Sequence, residues 1–552
     1  MSDTPHSPLA EYHARTRHHF NAYAEGPGQL DWDAQPAPFR HYHGAPITPL
    51  PLCADDWERP FGELQQPRTP PAPVTLATLG AWLECSLALS AWKSWGPQRW
   101  ALRCNPSSGN LHPVEAYVIS AGLPELADGL HHYDPEHHQL EGRALRAPDG
   151  QRWLSLGLSS VMWREAWKYG ERAFRYCQLD VGHALGALAY AARLLGWQIA
   201  PVAGSNLELA QLLGLARSSD FPPGRYAYTE NEEAEILVSL HAPGLSTPSC
   251  AAQLDWLSIA DWHGQPSIID PQPGYRWPLI DQAAQASRAL TDPVPSASPE
   301  HDDWPAWPPL RQSPSPQGSA ALMRQRRSAQ RFDPRANLPA SDFYRLLDAC
   351  LPRQLAPFDA QEAAPGIQLL LFVQRVQDLP SGLYLLTRSP AGAALSSTLR
   401  ALPAPRFSDW QAIPAADPRC PAHLPLYRLC TLPLPELQRL ARALSCHQDI
   451  ASTSAFSLGM LADFARLTTP YAYRTQLREA GLIGQALYLE AEAIGQRGTG
   501  IGCFFDEPVQ QCLGLAGSDW QSVYHFTVGT PVCDPRIETT PPYPQREKHH
   551  EP

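Results

Sequence analysis

Residues 106–113 read Pro-Ser-Ser-Gly-Asn-Leu-His-Pro and run straight into the apolar stretch 114–118. Residues 326–332, in the second half of the chain, read Arg-Arg-Ser-Ala-Gln-Arg-Phe. The first motif has no clear counterpart in the second half, and the second motif has only a faint one in the first half. Two halves that each keep what the other lacks predict one composite active site.

The chain carries an internal duplication. An apolar run and a proline precede Gly-Leu-His-His-Tyr at 129–133, and the same order precedes Gly-Leu-Tyr-Leu-Leu at 382–386. The stretch ALAYAARLLGW at 187–197 matches ALYLEAEAIGQ at 486–496. Because the repeated unit spans roughly 200 residues, it indicates a duplicated domain and not a solenoid of short repeats.

Local patterns predict the elements around these motifs. Leucine and tryptophan recur at helical spacing over 76–93, which predicts a helix there, and strands are expected over 114–120 and 129–133. The turn at 106–110 is expected to leave backbone N–H groups free for an acceptor. A long helix is expected over 172–195, with its counterpart in the second half.

Small residues share one face of each long helix. They are Gly182, Gly186 and Ala189 in the first helix, and Gly481, Gly484 and Ala491 in the second. One interpretation is ordinary packing within each domain. The other, which we favour, is that the two long helices pack closely against each other across a pseudo-twofold axis.

Length and proline content predict the domain organisation. At ~150 residues per domain, 552 residues allow two to four domains, and the duplication favours two. Many of the 59 prolines fall in 264–318, a composition typical of a linker. We therefore expect an N-terminal half at 1–263, a linker at 264–318 and a C-terminal half at 319–552.

Charge and hydropathy exclude several classes of function. The net charge is −12, with no basic block longer than 324–327, so nucleic-acid binding is not expected. No run of 18 apolar residues predicts a membrane span, and the first twenty residues lack the apolar core of a signal peptide. The twelve cysteines form no CxxC pair, so we expect free thiols, no metal site and a cytoplasmic location.

Five motifs together resemble the nitroreductase-like flavoprotein superfamily. They are PSSGNLHPVEAYV (106–118), WKYGERAFRYCQLDVGH (167–183), RRSAQRFDP (326–334), SCHQDI (445–450) and RGTGIGCFFDEPV (497–509). The chain looks most like the SagB-type dehydrogenase branch, which includes flavin-dependent oxidases that convert thiazolines and oxazolines in peptides to azoles. The resemblance covers roughly 75–245 and 319–540. It implies an α+β fold in which two tandem nitroreductase-like domains form an intrachain pseudo-dimer.

The resemblance implies an FMN site with contributions from both halves. On the phosphate side it assigns Arg326, Ser328 and Gln330, with Gln330 standing where a basic residue is common and Arg331 as an alternative cation. From the glycine-containing segment it assigns Gly500, Ile501 and Gly502, whose small residues would let the backbone approach the flavin ring. Arg546 is the expected C-terminal cation, with Lys548 as an alternative. From the first half it assigns Pro106, Ser107, Ser108 and Asn110. One FMN per chain is expected.

Lys168 and Tyr169 are the candidate catalytic pair. In the azole-forming branch that the chain resembles, a Lys-Tyr pair before the long helix is associated with proton abstraction. A lysine base must be neutral part of the time, and lowering its pKa from ~10.4 requires burial or nearby positive charge. Trp163 and Trp167 could bury it, and Arg164 or Arg172 could repel its proton. The alternative is a surface lysine beside aromatic residues.

Three functions remain open from the sequence. The first is an FMN-dependent oxidoreductase of the SagB type that acts on a small molecule or a peptide. The second is an NAD(P)H-dependent nitro- or quinone reductase, which needs no proton-abstracting base. The third is a non-catalytic flavin-fold module that docks a partner. In each case the pseudo-dimer lies within one chain, and further assembly into a homo-oligomer stays open.

Overall fold

A computed structural model describes residues 8–224, 226–289, 306–310, 313, 315–402, 407 and 410–545. The strands up to residue 266 are β1 (Tyr42–His43), β2 (Ile47–Pro49), β3 (Leu89–Trp95), β4 (Gln98–Arg103), β5 (Val114–Ala121), β6 (Gly129–Asp134), β7 (Gln139–Leu145), β8 (Trp153–Ser160), β9 (Gln198–Pro201), β10 (Glu233–His241), β11 (Asp261–Trp262) and β12 (Gln265–Pro266). The first half is built around an antiparallel sheet whose strands run in the order β11-β7-β6-β5-β8-β10-β9, with β2 also paired to β7. The helices are α1 (Pro8–Arg15), α2 (Leu76–Ser86), α3 (Met162–Tyr169), α4 (Ala173–Leu194), α5 (Asn206–Leu212), α6 (Ala227–Glu230), α7 (Cys250–Leu257) and α8 (Pro278–Ala286).

The second half repeats this arrangement, with its sheet in the order β15-β16-β14-β13-β17-β19-β18. Its strands are β13 (Gln368–Val373), β14 (Gly382–Leu386), β15 (Gln411–Ala412), β16 (Leu426–Thr431), β17 (Phe456–Asp463), β18 (Arg497–Ile501), β19 (Trp520–Gly529) and β20 (Glu538–Thr540). Its helices are α9 (Ser319–Gln325), α10 (Ala340–Ala349), α11 (Ala391–Ala401), α12 (Ile413–Ala416), α13 (Leu434–Leu444), α14 (Asp449–Thr453), α15 (Ala472–Glu492) and α16 (Asp506–Leu513). The run β7-β6-β5-β8-β10-β9 corresponds to β16-β14-β13-β17-β19-β18. The predicted duplication and the α+β class are therefore confirmed.

The helix predicted over 76–93 is wrong beyond Ser86. Helix α2 ends there, and residues Leu89–Trp95 form strand β3. This strand pairs with β4 on one edge and with β20, from the far end of the chain, on the other. Pairing with the neighbouring β4 and the distant β20 thus overrides the helical spacing of the apolar residues.

The two long helices, α4 and α15, pack directly against each other. A Cβ atom at Gly182 would overlap the carbonyl oxygen of Arg478, and one at Gly481 would overlap the carbonyl oxygen of Leu179. A Cβ atom at Gly186 would meet the side chain of Gln485 at 2.9 Å. The backbones therefore touch where glycine replaces a side chain, which confirms the interpretation that the two halves form an intrachain pseudo-dimer.

Buried ion pairs join the two halves in both directions. At the start of α4, Arg172 and Arg175 donate to Asp506 of the second half, with N–O distances of 3.0 and 2.7 Å. From α15, Arg474 and Arg478 donate to Glu235 of the first half at 2.7 and 2.8 Å. All of these side chains are buried. Removal of one partner would leave a charge without compensation in the interior, so these pairs fix how the halves meet.

Two further segments bear on the domain organisation. Strand β20, Glu538–Thr540, belongs to the second half but completes a three-stranded sheet with β3 and β4. Within the stretch predicted as a linker, Pro278–Ala286 forms α8, and its buried residues include Leu279 and Ile280. The boundaries at 263 and 319 stay a prediction. Among the described residues, no helix combines the length and the apolar character that a membrane span requires.

We predict that Gly182→Ala destabilises the protein by about 1–3 kcal/mol, the usual cost of overpacking, because the new methyl group meets backbone that cannot rotate away. Gly186→Ala is the matched control, since it gains the same helix propensity but meets side chains at Gln485 and Pro357. Urea denaturation should show the larger loss for Gly182→Ala. Equal stability of Gly182→Ala and the wild type would mean that the helices do not touch there.

Candidate active site

A cleft of about 840 Å³ lies between the two halves. Its lining includes Asn105–Asn110, Tyr169, Tyr176, Asp180 and His183 from the first half, and Gln325–Gln330, Tyr488, Thr499–Cys503 and Tyr524 from the second. The cleft thus brings together the sequence-predicted residues Pro106, Ser107, Ser108, Asn110, Tyr169, Arg326, Ser328, Gln330, Gly500, Ile501 and Gly502. Arg546 and its alternative Lys548 lie outside the described residues.

Arginine and lysine side chains cluster at one end of the cleft. Arg326 is buried, and its Nε and Nη2 donate to the carbonyl oxygens of Cys104 and Arg103 at 3.1 and 3.0 Å. Burial lowers the pKa of Arg327 to about 10, with a further contribution from the charge of Arg326. Burial, Arg327 and Arg497 together lower the pKa of Lys93. Lys93, Arg326, Arg327 and Arg497 all line the cleft, and the arrangement of their positive charges favours the binding of an anion.

The arginine-serine motif and the glycine segment are tied together by one hydroxyl group. Tyr488, on α15, contacts the Ser328 hydroxyl through its own hydroxyl oxygen at 2.9 Å and accepts the N–H of Gly500 at 3.0 Å. The ring of Tyr488 also faces the guanidinium of Arg326, whose central carbon lies 5.0 Å from the ring centroid. Tyr488 therefore holds three of the predicted residues in register, a role that the sequence did not reveal.

The glycines of the 500–502 segment are required by the protein's own packing, and the expected approach to a flavin ring stays a prediction. We expected them to let the backbone approach a flavin ring. A Cβ atom at Gly500 would overlap the hydroxyl of Tyr524, and one at Gly502 would overlap the ring of Tyr176. The rings that need this space belong to the protein itself.

The loop at 106–110 is anchored by a buried carboxylate from α4. Asp180 accepts the backbone N–H of Ser108 at 3.0 Å and the Ser108 hydroxyl at 2.8 Å. The expectation that this turn leaves its N–H groups free is wrong for Ser108, because Asp180 takes that hydrogen bond. Burial raises the pKa of Asp180 to about 7, although the hydrogen bonds from Ser108 oppose the shift.

Lys168 and Tyr169 lie directly behind this loop. Gly109 has a φ of 57°, and a Cβ atom there would lie 2.5 Å from the Tyr169 hydroxyl and 3.1 Å from Lys168 Nζ. Glycine is therefore needed at 109 both for its left-handed backbone and for the approach of the pair. The first-half loop and the candidate catalytic pair thus form one unit.

The surroundings of Lys168 differ from those expected. The tryptophan whose ring faces Lys168 is Trp32, and not Trp163 or Trp167 as expected. Its ring centroid lies 5.3 Å from Lys168 Nζ. The charge of Arg164 is paired with Glu115, and that of Arg172 with Asp506, so neither arginine lowers the pKa of Lys168. Burial alone lowers it, and Glu165 acts in the opposite direction.

Glu165 is a buried residue that the sequence analysis missed. Its side chain is fully buried, and among the described residues neither carboxylate oxygen has a hydrogen-bond partner. Burial raises its pKa, Asp180 adds to the rise and Lys168 opposes it. The spacing from Glu165 to Lys168, three residues along α3, places both on one helix face and was the available signal.

Two cysteines meet at the edge of the cleft. A hydrogen bond from Cys446 lowers the pKa of the Cys503 thiol, against the effect of burial, and His18 lowers it further. The amide of Gln448 donates to the Cys503 carbonyl oxygen at 3.0 Å and fixes the 445–450 segment beside the glycine segment. This brings the SCHQDI and GTGIG motifs together.

Comparisons with known proteins bear on the fold. No family model and no curated protein matches the chain. The structure of a protein assigned as a nitroreductase from Anabaena variabilis superposes on 95% of this chain and 100% of its own, with 20% identity and a TM-score of 0.64. The chain therefore has the fold of that protein along nearly its whole length.

Two other solved structures match part of the chain. A protein assigned as a nitroreductase from Ralstonia eutropha matches 39% of it, over 82% of its own length, with 17% identity and a TM-score of 0.26. The E. coli microcin synthetase McbBCD complex with truncated pro-MccB17 bound matches 38%, over 70% of its own chain, with 17% identity and a TM-score of 0.27. At these TM-scores, neither match adds to the argument for the fold.

Proposed function

We propose that the protein is an FMN-dependent oxidoreductase of the SagB-type dehydrogenase group that acts on a small molecule or an azoline-containing peptide at one composite site. The observation that carries the proposal is the meeting of complementary parts in one cleft. The second half supplies the basic end around Arg326 and the glycine segment. The first half supplies the 106–110 loop and the Lys168–Tyr169 pair.

The residues of the cleft fit FMN. Lys93, Arg326 and Arg327 form a cationic end suited to a phosphate dianion, since guanidinium and ammonium groups bind phosphate oxygens strongly. The volume of about 840 Å³ is typical of a cofactor pocket. Among the described residues, the buried Asn105 Oδ1 has no hydrogen-bond partner, so this lining residue keeps an acceptor for a ligand. When bound, FMN would supply hydride transfer to or from the substrate.

Lys168 is not itself among the residues that line the cleft, but its Nζ lies behind Gly109, and we propose that it takes a proton from a substrate bound beside Tyr169. Its burial disfavours the ammonium form, so its amine is neutral at a lower pH than that of an exposed lysine. Tyr169 is half-buried beside it, and the loss of solvent around its hydroxyl raises the pKa of that group, which keeps it protonated as a hydrogen-bond donor. The Lys-Tyr pair can therefore accept one proton and orient the group that loses it.

The same cleft could serve two other functions. An NAD(P)H-dependent nitro- or quinone reductase would use the FMN site without a base, and a docking module would use neither FMN nor a base. The placement of Lys168 behind Gly109 and against Trp32 favours the dehydrogenase, because only that reaction requires an amine base near the substrate. The division into halves at 1–263 and 319–552, with a linker between them, is part of the same proposal, as is the possibility of further homo-oligomers.

We predict that Arg326→Ala weakens FMN binding by about 1.5–3 kcal/mol, the scale of a hydrogen bond to a charged group. Arg324→Ala is the matched control, because Arg324 is paired with Asp55 and Glu84. Fluorescence titration of FMN into the apoprotein measures both dissociation constants, and circular dichroism checks the fold. An unchanged constant for Arg326→Ala would place the phosphate elsewhere.

We predict that Lys168→Ala loses about 10²–10⁴-fold in the rate at which a synthetic thiazoline peptide bleaches bound flavin without oxygen, the usual range for acid–base catalysis. Lys168→Arg should fail as well, because a guanidinium does not release its proton near neutral pH. The wild-type rate should rise with pH as the amine becomes neutral. Because burial lowers the pKa of Lys168, the rate should reach its plateau at a lower pH than the ~10.4 of a free lysine would give. Flavin content should stay equal in all three proteins.

Other outcomes of this experiment assign the other functions. Rapid bleaching by NAD(P)H, equal in wild type and Lys168→Ala, with no reaction of the peptide, would make the protein a reductase. A purified chain that binds no FMN would make it a docking module. Full peptide turnover by Lys168→Ala would show that Lys168 is not the base.

A further inference from the structure

A cluster of histidine and carboxylate side chains lies on the turn that joins β6 to β7, outside the cleft. Asp134 ends β6, Glu136 and His137 lie in the turn, and His41 faces them from the segment before β1. The sequence around them is rich in histidine, with His-Tyr-His at 41–43 and His-His-Tyr-Asp-Pro-Glu-His-His at 131–138. The proposed oxidoreductase activity uses none of these residues.

One donor atom each from His41, Glu136 and His137 lies within 4.8 Å of the other two. The His41 Nε2 atom lies 3.2 Å from Glu136 Oε2. Two ligands of a tetrahedral metal ion with bonds of about 2.0–2.1 Å are separated by about 3.3 Å. The spacing of this pair is therefore already that of adjacent ligands.

Asp134 holds both histidine rings from the buried side. Its Oδ2 accepts the hydrogen bond of His137 Nδ1 at 2.7 Å and lies 3.5 Å from His41 Nδ1. Each histidine thus turns one nitrogen toward the carboxylate, as metal-bound histidines commonly do. Asp134 Oδ1 also accepts the backbone N–H of Glu136 at 2.9 Å, which fixes the turn.

The backbone of His41, on the other side of the cluster, is also held by hydrogen bonds. The backbone N–H of His41 donates to the Ser267 hydroxyl at 3.0 Å, and the Ser267 N–H donates to the His41 carbonyl oxygen at 2.7 Å. The side chains of His41, Glu136 and His137 are 26%, 32% and 58% exposed. An ion could therefore enter from solvent and find its ligands held on rigid backbone.

We propose that His41, Glu136 and His137 bind a divalent transition-metal ion of the zinc type, with Asp134 as the positioning residue. Two imidazoles and one carboxylate are ligands that zinc and similar ions prefer, whereas magnesium and calcium prefer oxygen alone. The exposed side of the site leaves further coordination positions to water.

The bound ion would link the turn to the segment before β1. The same turn holds the C-terminal segment, because the Tyr543 hydroxyl donates to the Pro135 carbonyl oxygen at 2.7 Å. Tyr543 in turn follows β20, which completes the sheet with β3. A metal at this turn would stabilise the folded chain by binding the native state alone.

The test is a zinc titration of the tag-free, full-length protein after chelator treatment, in competition with a chromophoric zinc indicator at pH 7.5. The wild type should bind one zinc equivalent more than His137→Ala and Glu136→Gln do. Asp134→Asn should weaken this equivalent by about 10–100-fold, the usual effect of removing a partner of a ligand. His241→Ala, which removes an exposed histidine at the end of β10, should bind as the wild type does.

Thermal melting supplies the second readout. Zinc should raise the melting temperature of the wild type and of His241→Ala, but not that of His137→Ala. Because His137 is exposed, its replacement should leave the fold intact without zinc. The twelve cysteines are free thiols and are the same in every variant, so any zinc held by thiols would not distinguish the variants. Equal binding and equal melting shifts in wild type and His137→Ala would overturn the proposal, as would a wild type that binds no zinc.

Discussion

The close contact between helices α4 and α15 is the constraint on which the rest of the structure depends. Gly182 and Gly481 let the two backbones touch, so neither helix can slide or rotate without a clash. The buried pairs of Arg172 with Asp506 and Arg478 with Glu235 then select one relative orientation of the halves. A buried charge without its partner is costly, which makes other orientations unfavourable.

The cleft is a consequence of this orientation. Asp180 on α4 anchors the 106–110 loop, and Tyr488 on α15 anchors Ser328 and Gly500. The two central helices thus carry the anchors for both sides of the site as well as the interface itself.

Patterns within the sequence predicted those parts of the structure that depend on neighbouring residues and on the internal repeat. The duplication, the strands over 114–120 and 129–133, and the helix contact through Gly182 and Gly481 were accessible from these patterns. The convergence of Ser107, Arg326 and Gly500 on one cleft followed from the family resemblance. Other contacts between distant segments left no signal: β3 pairs with β20 as well as with the neighbouring β4, and Trp32 reaches Lys168 from far along the chain. The histidine cluster was missed because His41 and His137 meet only in the fold.

The stoichiometry of FMN tests the composite site most directly. Apoprotein would be saturated with FMN, freed of excess cofactor, and measured for flavin absorbance after denaturation against protein concentration from amino-acid analysis. One complete cleft predicts one FMN per chain, since Arg326 occurs on one side and the Ser107–Ser108 loop on the other. Two FMN per chain would contradict the account, because each half would then hold a complete site of its own.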